Sequence, residues 1–453
     1  MTPEAPANGL ERKLGLFPLT NIVIANMVGA GIFTTSGLLM KDLHHPVVML
    51  GLWVVGGLVA LCGALSYGEL GAAFPHAGGE YAFLSRLYHP ILGFLSGWVS
   101  FFVGFSAPIA AGAITSSEYL TRAFPGLLHP GVLSGFMGPK DMLKLYALVI
   151  IAVFTLLHTR GLESGARVQN ALTGLKILLI VGLVAAGFAF GKGSLAHLTA
   201  AAPFRFDFGG IKTMGLALMW IMFAYSGWNA SAYVGSEVKE PSRNLPRSLL
   251  LGTGVVMFLY VALNLFYIYA IPPAQMEGVE PIAALAARNL FGQSAETVLS
   301  LLISFAFFSS LSAYVILGPR VYYSMARDGV FFKSVATVDP KCCVPKRSIL
   351  LQGGIAIIMA IPGTKLLLTY MSFSLGIFPL LAVLGVFKLR RTGRSAVKLP
   401  GYPVASAVYI LVGVTILVLS FLERPVESLV AIATALVGIP VYFFFKRSAG
   451  GRP

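Results

Sequence analysis

The amino-acid sequence predicts an all-α integral membrane protein with twelve transmembrane helices. Hydrophobic residues occupy 57% of the 453 positions and charged residues only 11%, whereas about 25% of the residues in soluble globular domains are charged. Apolar stretches of roughly 20 residues recur along the chain, and a helix of that length crosses a bilayer core of about 30 Å. Lysine and arginine are concentrated between alternate stretches, which is typical of cytoplasmic loops.

Glycines, prolines and clusters of charge divide the apolar stretches into separate segments. The predicted spans are Leu16–Met40, Val47–Phe74, Ile91–Leu120, Leu143–Leu157, Val168–Phe190, Met214–Val234, Ser248–Ile271, Ala295–Tyr323, Ser348–Ile361, Leu366–Phe387, Val404–Leu422 and Ser428–Phe445. The fourth and ninth are shorter than a bilayer requires. The polar connections leave room only for short helices, so residues 1–453 are predicted to form a single polytopic domain.

The positive charge of the chain is distributed along its loops. The basic residues fall singly or in small groups, so the formal net charge of +15 predicts cytoplasmic loops and no nucleic-acid partner. With an even number of spans both termini lie on one side, and the loops of that side carry roughly twice as many Lys and Arg residues as the opposite loops. We therefore expect a multi-pass protein of the cell membrane with both termini in the cytoplasm.

The sequence lacks the usual signatures of an enzyme or a metalloprotein. Of its three cysteines, Cys342 and Cys343 are adjacent and form no disulfide framework. The paired histidines His44 and His45 have no further metal ligands nearby in the sequence. No glycine-rich phosphate loop or nucleophile elbow is present. We expect no catalytic residue, no metal and no cofactor.

Two of the predicted spans contain glycines near their middle. The first includes the segment Val28–Phe33 and the sixth the segment Phe223–Asn229. Glycine lets a chain leave helical dihedral angles, but in membrane helices it also serves close packing, and for each segment alone both interpretations stay open. The first and sixth spans would correspond to each other in a repeat of five plus five spans, and matching interruptions of that kind indicate a midplane binding site in a secondary transporter.

Four sequence motifs carry a resemblance to a known family. They are Gly29-Ala30-Gly31-Ile32-Phe33, Pro75-His76-Ala77-Gly78-Gly79-Glu80-Tyr81, Phe223-Ala224-Tyr225-Ser226-Gly227-Trp228-Asn229 and Glu237-Val238-Lys239-Glu240-Pro241-Ser242-Arg243-Asn244-Leu245-Pro246. In this order the motifs resemble the L-type branch of the amino acid–polyamine–organocation transporter superfamily, in a prokaryotic form. The resemblance implies a leucine-transporter-type fold with inverted repeats over residues 16–190 and 211–387, unwound first and sixth helices, and a last helix pair over 404–445.

Interrupted helices offer complementary partial charges to a zwitterion. The N-terminus of a half-helix exposes backbone N–H groups that suit a carboxylate, and the end of the preceding half-helix exposes carbonyls that suit an ammonium group. The resemblance assigns the carboxylate to the backbone of Gly29, Ala30 and Gly31, and the amino group to carbonyls around Met27, Val28, Phe223 and Ser226. The predicted substrate-binding residues are Asn26, Met27, Val28, Gly29, Ala30, Gly31, Ile32, Phe223, Ala224, Ser226 and Asn229.

Three side chains near the interruptions have two interpretations each. The resemblance makes Phe223 an aromatic gate on the extracellular side of the substrate, although aromatic residues also serve ordinary packing. Asn229 either lies at the pocket wall or forms a hydrogen bond with a neighbouring helix. Asn26 is open to the same two interpretations.

Lys176 is the residue whose burial costs most in this sequence. It lies about 12 Å along the fifth predicted span, and an unpaired lysine at a helix centre costs about 2.5 to 3.5 kcal/mol on insertion scales. The resemblance implies that its ammonium group replaces the sodium ion of related carriers and tethers the first helix near Gly29 to the eighth, with Ser309 and Ser312 as partners. The alternatives are a side chain that reaches the cytoplasmic edge and a lysine that carries a proton.

The predicted substrates are small or medium neutral L-amino acids. No buried carboxylate and no further buried cation is expected at mid-depth, which disfavours charged side chains. The resembled branch implies sodium-independent exchange by alternating access. A proton-coupled symporter and a carrier of cationic amino acids or polyamines are the alternatives, and a channel or receptor is the alternative of another class.

The expected environment is the lipid bilayer and the expected state a monomer. Eukaryotic members of the resembled branch bind a heavy chain through a cysteine in the loop after the third span. The corresponding stretch Arg122–Asp141 has no cysteine, so we expect no covalent heavy-chain partner.

Overall fold

The computed structural model describes residues 10–129, 137–200, 204–361 and 364–450. Part of the loop Arg122–Asp141 therefore lies outside the described residues. The α-helices are α1 (Leu16–Met27), α2 (Ala30–Leu43), α3 (Pro46–Ala73), α4 (Glu80–Leu87), α5 (Pro90–Val99), α6 (Ala107–Ala123), α7 (Pro139–His158), α8 (Leu162–Phe190), α9 (Phe208–Ala224), α10 (Pro241–Ala270), α11 (Pro273–Met276), α12 (Ile282–Phe291), α13 (Gln293–Arg327), α14 (Lys346–Met359), α15 (Thr364–Arg391), α16 (Val404–Glu423) and α17 (Pro425–Gly450).

The predicted all-α class is confirmed. In the described ranges the β-structure consists of two isolated bridges, Leu14 with Val238 and Ala77 with Val234. Nine helical segments of these ranges are long and apolar enough to cross a membrane, where α1 with α2 and α5 with α6 each count as one segment. The helix α9 is apolar but has only 17 residues, and α14 has 14.

The sixth predicted span does not continue as a helix to Val234. The helix α9 ends at Ala224, turns follow over Tyr225–Asn229, and a 3₁₀ turn covers Ala230–Tyr233. The helix ends inside the segment Phe223–Asn229 that the sequence marked as an interruption, whereas the predicted bound at Val234 came from hydropathy, which does not detect a change of backbone conformation. The φ angle of Gly227 is +95°, a value that side-chain-bearing residues rarely adopt.

A π-helical turn joins α5 to α6 over Ser100–Ser106. Pro108 follows two residues later, and because proline has no N–H it cannot donate to the preceding turn. Within the π-helical turn the Ser106 hydroxyl donates to the Phe101 carbonyl at 2.7 Å. Turns of this type widen a helix and are frequent at functional sites, and this one faces the cavity described below.

The buried core surrounds the interruption between α1 and α2. The helix α10 packs along α3 and α1, and α13 packs along α6 and α8. The fully buried side chains of Trp53, Tyr225 and Tyr260 form an aromatic cluster beside the end of α9. Two helix ends are therefore held inside the protein, where they are shielded from lipid.

Candidate functional site

The first interruption leaves a helix N-terminus without a capping side chain. Val28 has φ −76° and ψ 87°, and Gly29 has φ −125° and ψ −150°, so both residues lie outside helical conformation. The helix α2 then begins at Ala30, and its N-cap residue Gly29 has no side chain to accept from the first turn. The backbone N–H groups of that turn are therefore available to an anion.

The two interruptions lie in direct contact. A Cβ atom on Gly31 would lie 2.7 Å from the Cα atom of Ala224, the last residue of α9. A Cβ atom on Gly227 would lie 2.9 Å from the Asn26 carbonyl oxygen, and the Asn26 amide donates to the Gly227 carbonyl at 3.3 Å. Small residues therefore allow both helix ends to meet backbone to backbone.

A tyrosine of α10 connects the same two helix ends. The Tyr260 hydroxyl lies 2.7 Å from the carbonyl oxygen of Met27 and 3.0 Å from that of Ala224. Tyr260 is fully buried, so these carbonyls are satisfied without water. The sequence did not point to this residue because many tyrosines lie in its apolar stretches.

A cavity of about 60 Å³ lies beside the start of α2. Eight of the predicted substrate-binding residues line it: Asn26, Met27, Gly29, Ala30, Gly31, Phe223, Ala224 and Ser226. The helices α6 and α13 contribute the opposite wall, where Thr115, Ser310 and Tyr314 supply polar groups. Backbone donors of α2 and neutral polar side chains thus face one small space.

Val28 and Ile32 are not among the described residues that line this cavity or the larger one that adjoins it. The Val28 carbonyl accepts from the Lys176 ammonium group at 2.6 Å and from the Ser310 hydroxyl at 2.9 Å. A carbonyl oxygen has two lone pairs, so the expectation that Val28 holds the substrate's amino group is wrong. Ile32 is fully buried and packs in the core.

A larger cavity of about 190 Å³ adjoins the first. Asn26, Phe223, Ser226 and Tyr314 line both cavities, so Phe223 lies at the boundary between them. Asn229 lines the larger cavity and also donates to the Glu80 carboxyl, so both interpretations of Asn229 describe part of its position. Most of the remaining wall is apolar and comes from α3, α9, α15 and α16.

Lys176 is 1% exposed and lies between the end of α1 and the helix α13. Its ammonium group donates to the carbonyls of Val28 at 2.6 Å and Ala25 at 3.4 Å, and to the Ser310 hydroxyl at 2.9 Å. The three N–H groups of the ammonium therefore have three acceptors, and the carbonyls of Ala25 and Val28 lie at the negative end of the α1 dipole. The alternative in which Lys176 reaches the cytoplasmic edge is wrong.

The serines predicted as partners of Lys176 were wrong by one and two positions. Ser309 lies 3.1 Å from the hydroxyl of Thr173, and Ser312 lies 2.9 Å from a ring nitrogen of His158. Each residue of a helix is rotated by about 100° from the last. Ser310 of the same serine cluster therefore contacts Lys176 of α8, whereas Ser309 contacts Thr173 on the preceding turn of α8 and Ser312 contacts α7.

The structure places a buried carboxyl in the larger cavity, at Glu80. This residue begins α4, is 2% exposed, and accepts from the Tyr67 hydroxyl at 2.7 Å and from the Asn229 amide. The expectation that no carboxylate lies at the pocket was therefore wrong. Sequence reasoning missed Glu80 because it follows the loop 75–79, outside the predicted spans.

The segments beyond Glu80 form a layer of polar contacts, which we call the cytoplasmic layer after its predicted location. It comprises Leu14, loop 75–79, residues 233–239 and the end of α13. Within it Glu237 and Arg320 form a fully buried ion pair with two hydrogen bonds of 2.9 and 3.1 Å. The Tyr81 hydroxyl donates to Asp328 at 2.6 Å.

The loop of this layer also carries His76. Burial and the nearby Arg86 lower the pKa of His76, which keeps the ring neutral at pH 7.

A second ion pair lies at the end of α3. The sequence favours a structural role for Glu69, and its carboxylate accepts from Arg390 at 2.6 and 2.8 Å. Ser395 and the Leu399 backbone donate to the same carboxylate. The site of Glu69 is therefore a fixed contact between α3 and α15.

Comparison with known proteins gives the family of this chain. The mouse (Mus musculus) Asc-type amino acid transporter 1 is 27% identical over 440 residues, covering 96% of this chain and 81% of the relative. The human (Homo sapiens) large neutral amino acids transporter small subunit 2 is 26% identical over 456 residues, with coverage of 98% and 82%. The mouse b(0,+)-type amino acid transporter 1 is 26% identical over 452 residues, with coverage of 98% and 89%.

The sequence profile of the family described as amino acid permease matches residues 14–444. That match covers the interruptions, both cavities, Lys176 and the cytoplasmic layer. It confirms the resemblance derived from the four motifs and the prediction of a multi-pass membrane protein without enzymatic activity. The chain belongs to the amino acid permease family.

Proposed function

We propose that this permease is a sodium-independent exchanger of small and medium neutral L-amino acids. The observation that carries the proposal is the small cavity between the start of α2 and the end of α9. It presents uncapped backbone N–H groups on one side and neutral polar atoms on the other. The carboxylate of a zwitterionic amino acid can bind the N–H groups while its ammonium group binds the polar atoms.

The geometry suggests a different acceptor for the amino group from the one expected. The Val28 carbonyl is saturated and the Met27 carbonyl already accepts from Tyr260. The Asn26 side-chain oxygen is buried without a hydrogen-bond partner in the described residues, and Asn26 lines both cavities. An unpaired buried acceptor costs about 1 to 3 kcal/mol, and a substrate ammonium group would remove that cost. We assign the amino group to the Asn26 side-chain oxygen together with Ser226.

The neutral character of the small cavity supports the substrate class. Its described lining contains no ionised side chain, and Lys176 is turned away toward Val28. The names of two similar proteins refer to amino acid transport of the Asc type and of large neutral amino acids. The apolar part of the larger cavity would hold the substrate side chain, with Phe223 as the gate at the boundary.

The proposed architecture has twelve spans in a leucine-transporter-type arrangement. Beside the nine long segments, α9 with residues 225–234 forms the unwound sixth span, α14 the ninth and α15 the tenth. The interruption at Val28 and Gly29 is the unwound part of the first span. Residues 16–190 and 211–387 form the inverted repeats, and α16 and α17 form the last pair.

The placement of Lys176 supports sodium independence. Its ammonium group occupies the space between the first and eighth spans and donates to carbonyls that would otherwise suit a cation. We propose that the protein works as a monomer in the cell membrane with both termini cytoplasmic. The cysteine-free sequence of Arg122–Asp141 supports the absence of a covalent heavy chain.

Counterflow in proteoliposomes tests the proposal. Purified protein is reconstituted with or without trapped unlabelled alanine, and uptake of radiolabelled alanine is followed in sodium and in choline buffer. We expect uptake that requires internal amino acid and is equal in both buffers. Uptake that needs sodium, or that proceeds equally into empty vesicles, would contradict sodium-independent exchange. Competition by lysine or putrescine stronger than by serine would contradict the substrate class.

A further inference from the structure

Glu80 is a buried carboxyl whose environment supplies hydrogen bonds but no positive charge. It is 2% exposed and lines the larger cavity. Among the described lining residues there is no lysine, arginine or histidine. An ionised carboxylate in such a place loses its hydration without gaining a counter-ion, which costs several kcal/mol.

The ionisable groups packed around Glu80 are neutral tyrosines. Tyr67 of α3 donates to the carboxyl at 2.7 Å, Tyr233 lies within hydrogen-bonding reach of it, and Tyr409 approaches from α16. Asn229 donates to the carboxyl and lies 3.3 Å from the Tyr233 hydroxyl. Four polar side chains from three parts of the chain therefore converge on one acid.

The charged groups of the neighbouring elements have partners of their own. The nearest are paired as Glu69 with Arg390, Glu237 with Arg320 and Asp328 with Tyr81. On α4 itself, Arg86 donates to the Ala82 carbonyl at 3.3 Å, one turn earlier. The half-buried His76 lies beside Arg86 and Asp328 and is neutral. None of these groups replaces the missing counter-charge of Glu80.

We propose that Glu80 binds a proton while the cytoplasmic layer is closed and releases it when this layer opens. The proposal rests on the proposed exchange function and adds a proton step to it. In the closed state the carboxyl is dry and its neutral form avoids the cost of desolvation. In the open state water reaches Glu80, and the proton passes from the carboxyl oxygen to water.

Asn229 links this proton to the substrate site. Its amide donates to Glu80, while its backbone continues the segment that begins at Ala224 beside the small cavity. When Glu80 loses its proton, water hydrates the carboxylate. Its hydrogen bond with Asn229 of the sixth span then weakens. Opening of the cytoplasmic layer therefore requires deprotonation, so acid should slow exchange and base should permit it.

The experiment measures alanine exchange at matched pH on both sides of the proteoliposome membrane, from about pH 8 to about pH 5. Wild-type exchange should fall on acidification, by up to about tenfold per pH unit below the apparent pKa of the group. Glu80→Gln should exchange at a rate that does not change with pH. An unchanged pH profile in Glu80→Gln, or a wild-type rate independent of pH, would overturn the proposal.

Two further variants separate a proton site from a purely structural contact. Tyr67→Phe removes one donor from the carboxylate but keeps the acid, so its pH profile should keep the wild-type slope and move its midpoint to higher pH. A Tyr67→Phe midpoint equal to that of wild type would count against the proposal even if Glu80→Gln failed to fold. Glu118→Gln, near the C-terminal end of α6 and outside the described lining of both cavities, is the matched control and should keep the wild-type profile. Absence of any exchange in wild type would instead refute the proposed function.

Discussion

At the scale of single residues, the contacts of one carbonyl oxygen set the character of the site. The Val28 carbonyl accepts from Lys176 and from Ser310, so the end of α1 is tied to α8 and α13 at once. A lysine in that place satisfies a helix end that would otherwise need an ion or water. It also leaves the start of α2 free for an anionic group.

Loss of the Lys176 ammonium group should strongly impair transport. Hydrogen bonds to a charged group contribute about 1.5 to 3 kcal/mol, so Lys176→Ala should lower alanine exchange roughly 10- to 100-fold. Ser310→Ala should lower it more than Ser309→Ala, since only Ser310 contacts the ammonium group. The exposed Lys212, paired with Glu423 at 3.7 Å, is the control, and Lys212→Ala should stay within about twofold of wild type. Wild-type exchange by Lys176→Ala would contradict this role.

A methyl group on Gly31 should push the two interruptions apart. Its Cβ would lie 2.7 Å from both the Cα and Cβ atoms of Ala224, and backbone cannot yield as a flexible side chain does. Gly31→Ala should destabilise the protein by about 1 to 3 kcal/mol and abolish alanine binding. Gly182→Ala, with no atom within 4 Å of the added Cβ, should be neutral or slightly stabilising. Thermal unfolding in detergent and alanine binding measure the two effects; equal behaviour of the two variants would refute the close packing.

Sequence reasoning can point to single residues where the backbone alone decides the outcome. Gly29–Gly31 and Phe223–Ser226 could be recognised because glycine and small residues mark the places where backbone meets backbone or ligand. Ser310 could not be chosen over its neighbours, since a rotation of α13 by one residue changes which serine contacts Lys176. Glu80 could not be placed either, because its burial depends on Tyr67 and Asn229, which are distant in sequence.

At the scale of elements, the ends of helices matter more than their apolar middles. The spans were predictable from length and hydropathy, but α9 ends ten residues before the predicted Val234, and α10 begins at Pro241 rather than at Ser248. Between these two helices, residues 233–239 pack on loop 75–79 and on the end of α13. This connection forms much of the cytoplasmic layer and ties the segment after α9 to loop 75–79.

Breaking the buried ion pair of the cytoplasmic layer should destabilise the fold. Glu237 and Arg320 are 0% and 2% exposed, and removal of one partner leaves the other charge buried and unpaired. Glu237→Gln or Arg320→Met alone should cost about 3 to 5 kcal/mol, and the double variant should cost less than either. The exposed pair of Arg243 and Glu240 offers a control, and Arg243→Gln should change the stability by less than about 1 kcal/mol. Thermal unfolding measures the three losses of stability. A loss in the double variant equal to the sum of the two single losses would show that Glu237 and Arg320 are not coupled.

At the scale of the whole molecule, charge distribution and cavity position bear on which side of the membrane each part of the site faces. The basic loops predict which side is cytoplasmic, and Glu80, Glu237 and Arg390 all lie toward that side of the two interruptions. The small cavity lies beside the start of α2, and Phe223 lines both this cavity and the larger one. Alternating access would then open the cytoplasmic layer while α2 and α6 close the other side. This arrangement depends on the predicted orientation, which the native cysteines make testable.

Cys342 and Cys343 lie in the connection between α13 and α14, which the charge pattern places in the cytoplasm. Both thiols are partly exposed, whereas Cys62 lies within α3. Hydrogen bonds from the Cys342 backbone and from Lys346 lower the pKa of Asp339 to about 2, so this carboxylate is ionised at neutral pH and can hold both partners. Burial and the nearby Glu11 raise the pKa of the Cys343 thiol, so labelling should accelerate as the pH rises.

A Cys62→Ser variant with the native cysteine pair should therefore react with a membrane-impermeant maleimide in inside-out vesicles and stay unlabelled in intact cells. Labelling at about pH 8.5 keeps the thiolate fraction high enough for a complete reaction. A further variant with Cys62, Cys342 and Cys343 all changed to serine is the background control in both preparations. Labelling of the pair in intact cells would invert the orientation. The cytoplasmic layer would then face the exterior, and the proton released by Glu80 would enter the medium outside the cell.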